Sequence, residues 1–324
     1  MAFVSISELK PTKISRDLKG KFVLLYGKPK SGKTSMASEF PRNFLMATEV
    51  GYHDIPNIIA ADIDSWATFK KYLRELDFEE TKQQFDTVTI DTISLLWDLC
   101  EKYICQQNDV QGLADIPWGK GYTLTIREFT EALRKITLLG YGLVLIAHSE
   151  TRIEKADDGS EVEFIGPALN KRAYQIVNQL VDLIGYISSD FDKDGNSVRN
   201  IYTRATPTLM AGSRFKYLKP IIPLDYKELA NALVDAVEKR GKEAGVQVTD
   251  ERLVDAEKSM RPFDEAMAEA KELFLSLMDN EKKLELVNKS IKEWFGSELF
   301  RLSEAQPSQQ ELVENVITDM RAIR

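Results

Sequence analysis

Cysteine and histidine are scarce in this chain of 324 residues, with two of each: Cys100, Cys105, His53 and His148. Two thiols close together in one stretch give no disulfide framework, and reduced thiols point to a cytoplasmic setting. Histidines so scattered exclude a zinc site built with these cysteines. Long hydrophobic runs are missing as well. The most apolar stretch, Leu138 to Ala147, is short and interrupted by Gly140 and Gly142, so no membrane partner is expected. The N-terminus has no cationic segment followed by an apolar one, which argues against secretion. Nor is there a basic excess. At a net charge of −8, any nucleic-acid contact must come from local loops rather than from a basic body.

Apolar residues make up 43% and charged residues 29% of the chain, an ordinary balance for a globular protein with a large core. Its sharpest feature is Gly27-Lys28-Pro29-Lys30-Ser31-Gly32-Lys33-Thr34, a complete G-x-x-x-x-G-K-[ST] phosphate loop. The loop follows the apolar run Phe22–Tyr26, which reads as a buried strand, and leads into Ser35–Phe40, which reads as a helix. In that context its backbone N–H groups, from Gly27 through Lys30, Ser31 and Gly32 to Ser35, would wrap a β-phosphate with help from the helix dipole. Lys33 would reach the β- and γ-phosphates, and the Thr34 hydroxyl would hold Mg²⁺. ATP and Mg²⁺ are the cofactors this pattern calls for.

Further along, apolar runs alternate with helical periodicity. Asn43–Thr48, Phe85–Asp91 and Leu143–Ala147 read as strands, and a short apolar run lies at Ile58–Ala60. Helices are expected from Trp66 to Leu76, along the Ile93, Leu96, Trp97, Cys100 and Ile104 face, and along the Ile126, Phe129, Leu133 and Ile136 face. Asp-Asp-Gly at 157–159 and Asp-Lys-Asp-Gly at 192–195 mark two hairpins. The expected fold is α/β: a mostly parallel sheet between helices with hairpins late in the core, residues 1–240. Gly241 to Val248 reads as a linker, and residues 249–324 as a small helical region. Residues 241–324 carry 18 Asp/Glu against 12 Lys/Arg, so this region is the acidic part.

Several residues sit where chemistry is expected. Asp91 closes a strand at the place of a second Mg²⁺-side carboxylate, although a helix N-cap is the alternative. Glu49, just past the strand after the phosphate loop, can face the γ-phosphate and activate water, or be a surface glutamate. His148 follows an apolar strand and can sense the γ-phosphate or serve as a structural hydrogen-bonding group. Arg214 and Lys216 are cations that could reach a nucleotide held by a neighbouring subunit, or form a solvated basic loop. Trp118, Lys120 and Tyr122 combine aromatics with a cation, as a stacking platform for single-stranded bases does. Arg152, Lys155, Lys171 and Arg172 supply phosphate-binding charge beyond His148, diluted by Asp157, Asp158, Glu161 and Glu163.

Taken together, the phosphate loop, Glu49, Val-Thr-Ile-Asp-Thr at 88–92 and Leu-Ile-Ala-His-Ser at 145–149 resemble the motif series of the RecA-like ATPases. Ile-Pro-Trp-Gly-Lys-Gly-Tyr at 116–122 and Ser-Arg-Phe-Lys at 213–216 are similar to the phage-encoded branch of that group, implicated in single-strand annealing and homologous recombination. The resemblance covers residues 15–235. It implies a RecA-like core, Glu49 as catalytic glutamate, His148 as sensor, and Arg214 and Lys216 as cations offered across a subunit interface of a homo-oligomer. It also implies that loops 106–121 and 150–170 contact single-stranded DNA. The sensor is commonly glutamine or asparagine in that group, and no N-terminal polymerisation segment is recognisable here, which favours annealing or loading over filament-borne strand exchange. A single-strand-binding protein or other recombination partner is the expected occupant of the C-terminal region. An ATP-switched loader or accessory factor in replication is the alternative, and a small-molecule or nucleotide kinase a second one.

Overall fold

Alternating side chains build the sheet that organises the chain. In the computed structural model, which describes residues 14–17, 21–155, 159, 161–191, 193–250, 262–297 and 300–323, Leu24 and Tyr26 enter one core while Val23 and Leu25 enter another. A strand whose successive residues are all apolar can only be a central one, covered on both faces.

In chain order the elements begin β1 (Ile14–Ser15), β2 (Phe22–Gly27), α1 (Lys33–Ser38), β3 (Asn43–Ala47), β4 (Ile59–Asp62), α2 (Trp66–Glu75), α3 (Glu79–Gln84), β5 (Thr87–Asp91) and α4 (Ile93–Gln107). They continue with α5 (Lys120–Leu138), β6 (Gly142–Lys155), β7 (Glu161–Pro167), α6 (Lys171–Leu180), β8 (Leu183–Phe191), β9 (Ser197–Tyr202), β10 (Gly212–Ser213), β11 (Ile221–Pro223), α7 (Tyr226–Ala244) and β12 (Val248–Thr249). Three helices follow: α8 (Phe263–Leu277), α9 (Glu281–Phe295) and α10 (Gln310–Ile323).

The main sheet runs β11-β9-β8-β2-β6-β5-β3-β4, parallel from β8 to β4, with β9 and β11 antiparallel at the far edge. Helices α2, α4, α5 and α6 cover one face, and α1 and α7 the other. This is the α/β architecture expected, a mostly parallel sheet between helices with hairpins in the later part. The described residues form two compact units, one within 14–250 and one within 262–323. In the second, α8, α9 and α10 share an apolar core of Ala266, Ala270, Leu273, Leu277, Val287, Val313 and Ile317. Among the described residues no helix is long and apolar enough to cross a membrane.

Several local expectations are corrected. β8 is not only a hairpin arm: its first half, Leu183 to Ile187, pairs in parallel with β2 and completes the central sheet. β6 does not stop at Ala147 but continues as one strand to Lys155, pairing first with β2 and then with β7. The expected loop 106–121 is shorter, since α4 reaches Gln107 and α5 begins at Lys120. On α5, Ile126 is exposed, and the buried face is Gly121, Thr125, Phe129, Ala132, Leu133 and Ile136. Phe129, Leu133 and Ile136 are buried as expected, and the face continues toward the N-terminus through small residues because Gly121 abuts the Leu113 backbone, where a side chain cannot fit. α7 runs on to Ala244 through the expected linker, because Gly241 fits closely under Val248.

Phe129 ties the larger face together. Its ring lies 5.0 Å from Trp97 edge-on and 5.9 Å from Trp66, and all three are buried. Phe129→Ala removes the contact shared by α2, α4 and α5, and the expected loss is about 3–5 kcal/mol, measured as a lower urea midpoint. A change below about 1 kcal/mol would show that the three helices do not depend on this ring.

Candidate functional site

Register brings the candidate residues to one edge of the sheet. Gly27 at the end of β2 pairs with His148 of β6, while Ala47 of β3 pairs with Asp91 of β5. Parallel strands ending level open their following loops on the same side, where ligands of open α/β sheets bind.

The phosphate loop follows Gly27. A Cβ on Gly27 would fall 2.7 Å from the Ile187 carbonyl, so no side chain fits where β2 packs on β8. Gly32 has φ +94°, a conformation that glycine takes without strain. Lys33 is buried, and its Nζ donates to the carbonyls of Gly27 at 3.1 Å and Lys28 at 2.8 Å. Burial pulls the Lys33 pKa down, with Asp91 and Glu49 pulling the other way. Thr34 Oγ1 donates to Asp91 Oδ2 at 2.6 Å, joining the loop to the end of β5. Burial pushes the Asp91 carboxyl up, opposed first by the bond from Thr34. Ser31 is buried with its Oγ unpartnered among the described residues. A buried ammonium, an orphan hydroxyl and a glycine-shaped backbone fit a polyphosphate. The Thr34 hydroxyl and Asp91 carboxylate fit a hard cation, which needs oxygen ligands.

Glu49 and His148 meet across the end of β5. His148 Nε2 lies 3.2 Å from both Glu49 oxygens, and Thr92 Oγ1 lies 3.2 Å from Oε1. Thr48 and Thr92 clamp the two strand ends: Thr92 N donates to Thr48 Oγ1 at 2.8 Å, and Thr48 Oγ1 to the Thr92 carbonyl at 3.1 Å. The carboxylate of Glu49 is thereby held beside the Thr34–Asp91 pair. Neither threonine stood out in the sequence, since a threonine at a strand end carries no motif of its own.

The remaining sequence candidates divide into two groups. Arg172 stacks on Tyr122, its guanidinium 4.1 Å from the ring centroid, so α6 and the start of α5 form one neighbourhood with Lys171 and Lys120. Arg152 joins it by donating to the Leu169 carbonyl at 3.2 Å, and it also pairs with Glu150. Trp118 stands at 92% exposed with φ +62°. The side chain of Lys155, with Asp157 and Asp158, lies outside the described residues. Arg214 and Lys216 lie elsewhere. Arg214 N donates to Asp182, which pairs with Phe22 at the start of β2, the end of the strand away from the phosphate loop. Arg214 and Lys216 are ion-paired to Asp182 at 3.3 Å and to Glu243 at 2.5 Å. A cation that carried no sequence signal is instead beside the loop: Arg199 of β9, whose Nη1 would be 3.0 Å from a Cβ on Gly32.

Comparison with known proteins gives three findings. The model of a family described as an AAA domain matches residues 19–215. The SPbeta prophage-derived uncharacterized protein YorG of Bacillus subtilis (strain 168) is 26% identical over 316 residues, 95% of each chain. The flagellar accessory protein FlaH from Methanocaldococcus jannaschii matches at 8% identity and a TM-score of 0.34, over 57% of this chain and 78% of that one.

The raised pKa of Asp91 has a measurable consequence. Its folded value lies above the ordinary 3.8, so its ionisation is harder in the fold than in the unfolded chain. The stability tied to its neutral form is present at low pH and lost as pH rises through the raised value. In magnesium-free buffer Asp91→Asn is therefore expected to unfold at higher urea than wild type at neutral pH, with the gap closing toward pH 4. A lower midpoint for the variant at neutral pH would mean that the Thr34 bond to the charged carboxylate outweighs burial.

Proposed function

The chain belongs to the AAA domain family, and from that premise we propose that it is a magnesium-dependent ATPase that binds single-stranded DNA and promotes annealing or homologous recombination. The observation that carries the nucleotide half is the 2.6 Å bond between Thr34 and Asp91, with Lys33 and Glu49 alongside. Lys33 and the loop backbone bind the β- and γ-phosphates, and Thr34 and Asp91 hold Mg²⁺. Bound magnesium would neutralise charge on the phosphate oxygens. Glu49 orients water and takes its proton, and His148 and Thr92 hold the Glu49 carboxylate in place.

Support for the DNA half comes from a hydrogen-bonded route. The His148 carbonyl accepts from Ala168 N at 2.8 Å, and the Ala168 carbonyl accepts from Ser94 Oγ at 2.7 Å. Residue 168 leads directly into α6, whose first residues are Lys171 and Arg172. A phosphate backbone held by Lys120, Lys171 and Arg172, with bases on Trp118, would thus touch the segment that is bonded to the sensor strand. Arg214 and Lys216 keep their proposed role toward a neighbouring subunit of a homo-oligomer, since their end of β8 faces away from the chain's own loop. The prophage origin of the Bacillus subtilis relative supports a phage-encoded protein acting in the host cytoplasm.

A second reading, an ATP-switched loader working through protein contacts, is favoured by a groove of about 670 Å³ in the C-terminal unit. Met267, Phe274, Ile291 and Phe300 line it, with two cations, Lys271 and Arg301, and one carboxylate, Asp264, on its wall. In a region of net negative charge, those two cations suit an acidic, apolar peptide such as the tail of a single-strand-binding protein.

Steady-state ATP hydrolysis at modest salt, with and without single-stranded DNA, decides between the readings. Stimulation by DNA is expected, with Lys33→Ala inactive and Glu49→Gln still binding ATP but losing most turnover. Hydrolysis indifferent to DNA would favour the loader, and unchanged turnover in Lys33→Ala would sink the phosphate-loop assignment. Trp118→Ala is expected to weaken single-stranded DNA binding by about 1–3 kcal/mol while leaving DNA-free hydrolysis unchanged. Equal affinity would remove Trp118 from the interface.

A further inference from the structure

Arg199 brings a cation to the phosphate loop from another strand. It belongs to β9, opposite Ser189 of β8, two residues along from the Ile187–Ile201 pair. Ile187 in turn pairs with Gly27, the residue that opens the phosphate loop. The Arg199 side chain crosses from β9 onto the loop: a Cβ at Gly32 would be 3.0 Å from its Nη1, 3.9 Å from its Cδ and 3.1 Å from Leu224 Cδ2. The absence of a side chain at Gly32 is what lets the guanidinium approach the backbone next to Lys33. The Arg199 carbonyl accepts from Leu224 N at 2.9 Å, so the strand is fixed at this point while the side chain stays exposed.

Among the described residues no carboxylate forms an ion pair with Arg199, which holds also for Arg74, Arg134, Arg172, Arg204 and Arg301; of these Arg199 is the one set against Gly32 of the phosphate loop. Lys28, Lys30 and Lys33 lie on the same loop, and Arg199 adds a fourth positive group to it. Cations gathered around one short loop make it electropositive, and an anion bound there is attracted by each of them. Guanidinium offers parallel N–H donors matched to phosphate oxygens, which an ammonium does not.

We infer that Arg199 is a second cation on the phosphate chain of the bound nucleotide, supplied by the same chain from β9, on the side of the loop away from Asp91 and Glu49. The inference rests on the nucleotide-binding reading and adds a residue to it. It also separates two kinds of cation in this fold: Arg214 and Lys216 are ion-paired at the far end of the sheet, while Arg199, at the loop, has no ion-pair partner among the described residues.

The test is equilibrium binding of a fluorescent ADP analogue to the full chain with Mg²⁺, followed by competition with inorganic tripolyphosphate. Wild type, Arg199→Ala and Arg199→Lys are compared, with urea unfolding to show that all three fold alike. Arg199→Ala is expected to weaken the ADP analogue on the order of tenfold, and tripolyphosphate by a similar factor. Arg199→Lys should recover only part of that loss. Unchanged affinity in Arg199→Ala overturns the inference. So does a loss confined to the ADP analogue with tripolyphosphate unaffected, which would make Arg199 a contact to the base or ribose. Wild-type protein that binds neither ligand overturns the nucleotide-binding reading itself, and this inference with it.

Discussion

The parallel register of β2, β6, β5 and β3 is the constraint from which the rest of this molecule follows. Because Gly27 stands level with His148, and Ala47 with Asp91, four strand ends deliver their next residues to one edge. β6 lies between β2 and β5, so Thr34 must reach over it to meet Asp91. The helix after the loop makes that reach, and the resulting 2.6 Å bond fixes the loop against β5. A slip of one residue in any of these pairings would exchange the side chains of one core for those of the other, whose sizes and shapes differ, so packing of the two faces holds the site in register.

Burial then sets the electrostatics. Lys33 and Asp91 are each pushed toward neutrality by desolvation, and each is drawn back toward its charged form by the other. Such a pair costs stability to keep inside a protein, because attraction between the charges repays only part of their lost hydration. The arrangement makes sense for a site whose ligands are a polyanion and a hard cation, since each adds the opposite charge that the buried groups need. Thr48 and Thr92 contribute differently, by clamping two strand ends through side chain and backbone so that Glu49 keeps its distance from His148.

Much of the site was legible in the sequence because its signals are local. The phosphate loop is contiguous, and Glu49, Asp91 and His148 each follow an apolar run whose length marks a strand end. The central strands were legible for the same reason, since continuous apolar runs are incompatible with an exposed face. What escaped was non-local. β8 looked like a hairpin arm because its second half is one; only its pairing with β2 shows the first half to be core. On α5 the buried face begins with Gly121 and Thr125, small residues without an apolar signal, and Gly121 lies close against Leu113 of the preceding turn. Arg172 on Tyr122 joins two segments that sequence separation keeps apart.

By itself the sequence determined the α/β class, the phosphate loop with Lys33 and Thr34, and the acidic helical C-terminal part. These follow from composition, periodicity and a motif whose residues are neighbours along the chain. Tertiary structure alone decided which cations stand near that loop. Arg214 and Lys216 are close to it by no measure of the sheet, whereas Arg199, without any motif, is held against Gly32. The reason is that charge acts through space, and the distance between an arginine and a phosphate loop is set by strand order, which no single segment of the sequence encodes.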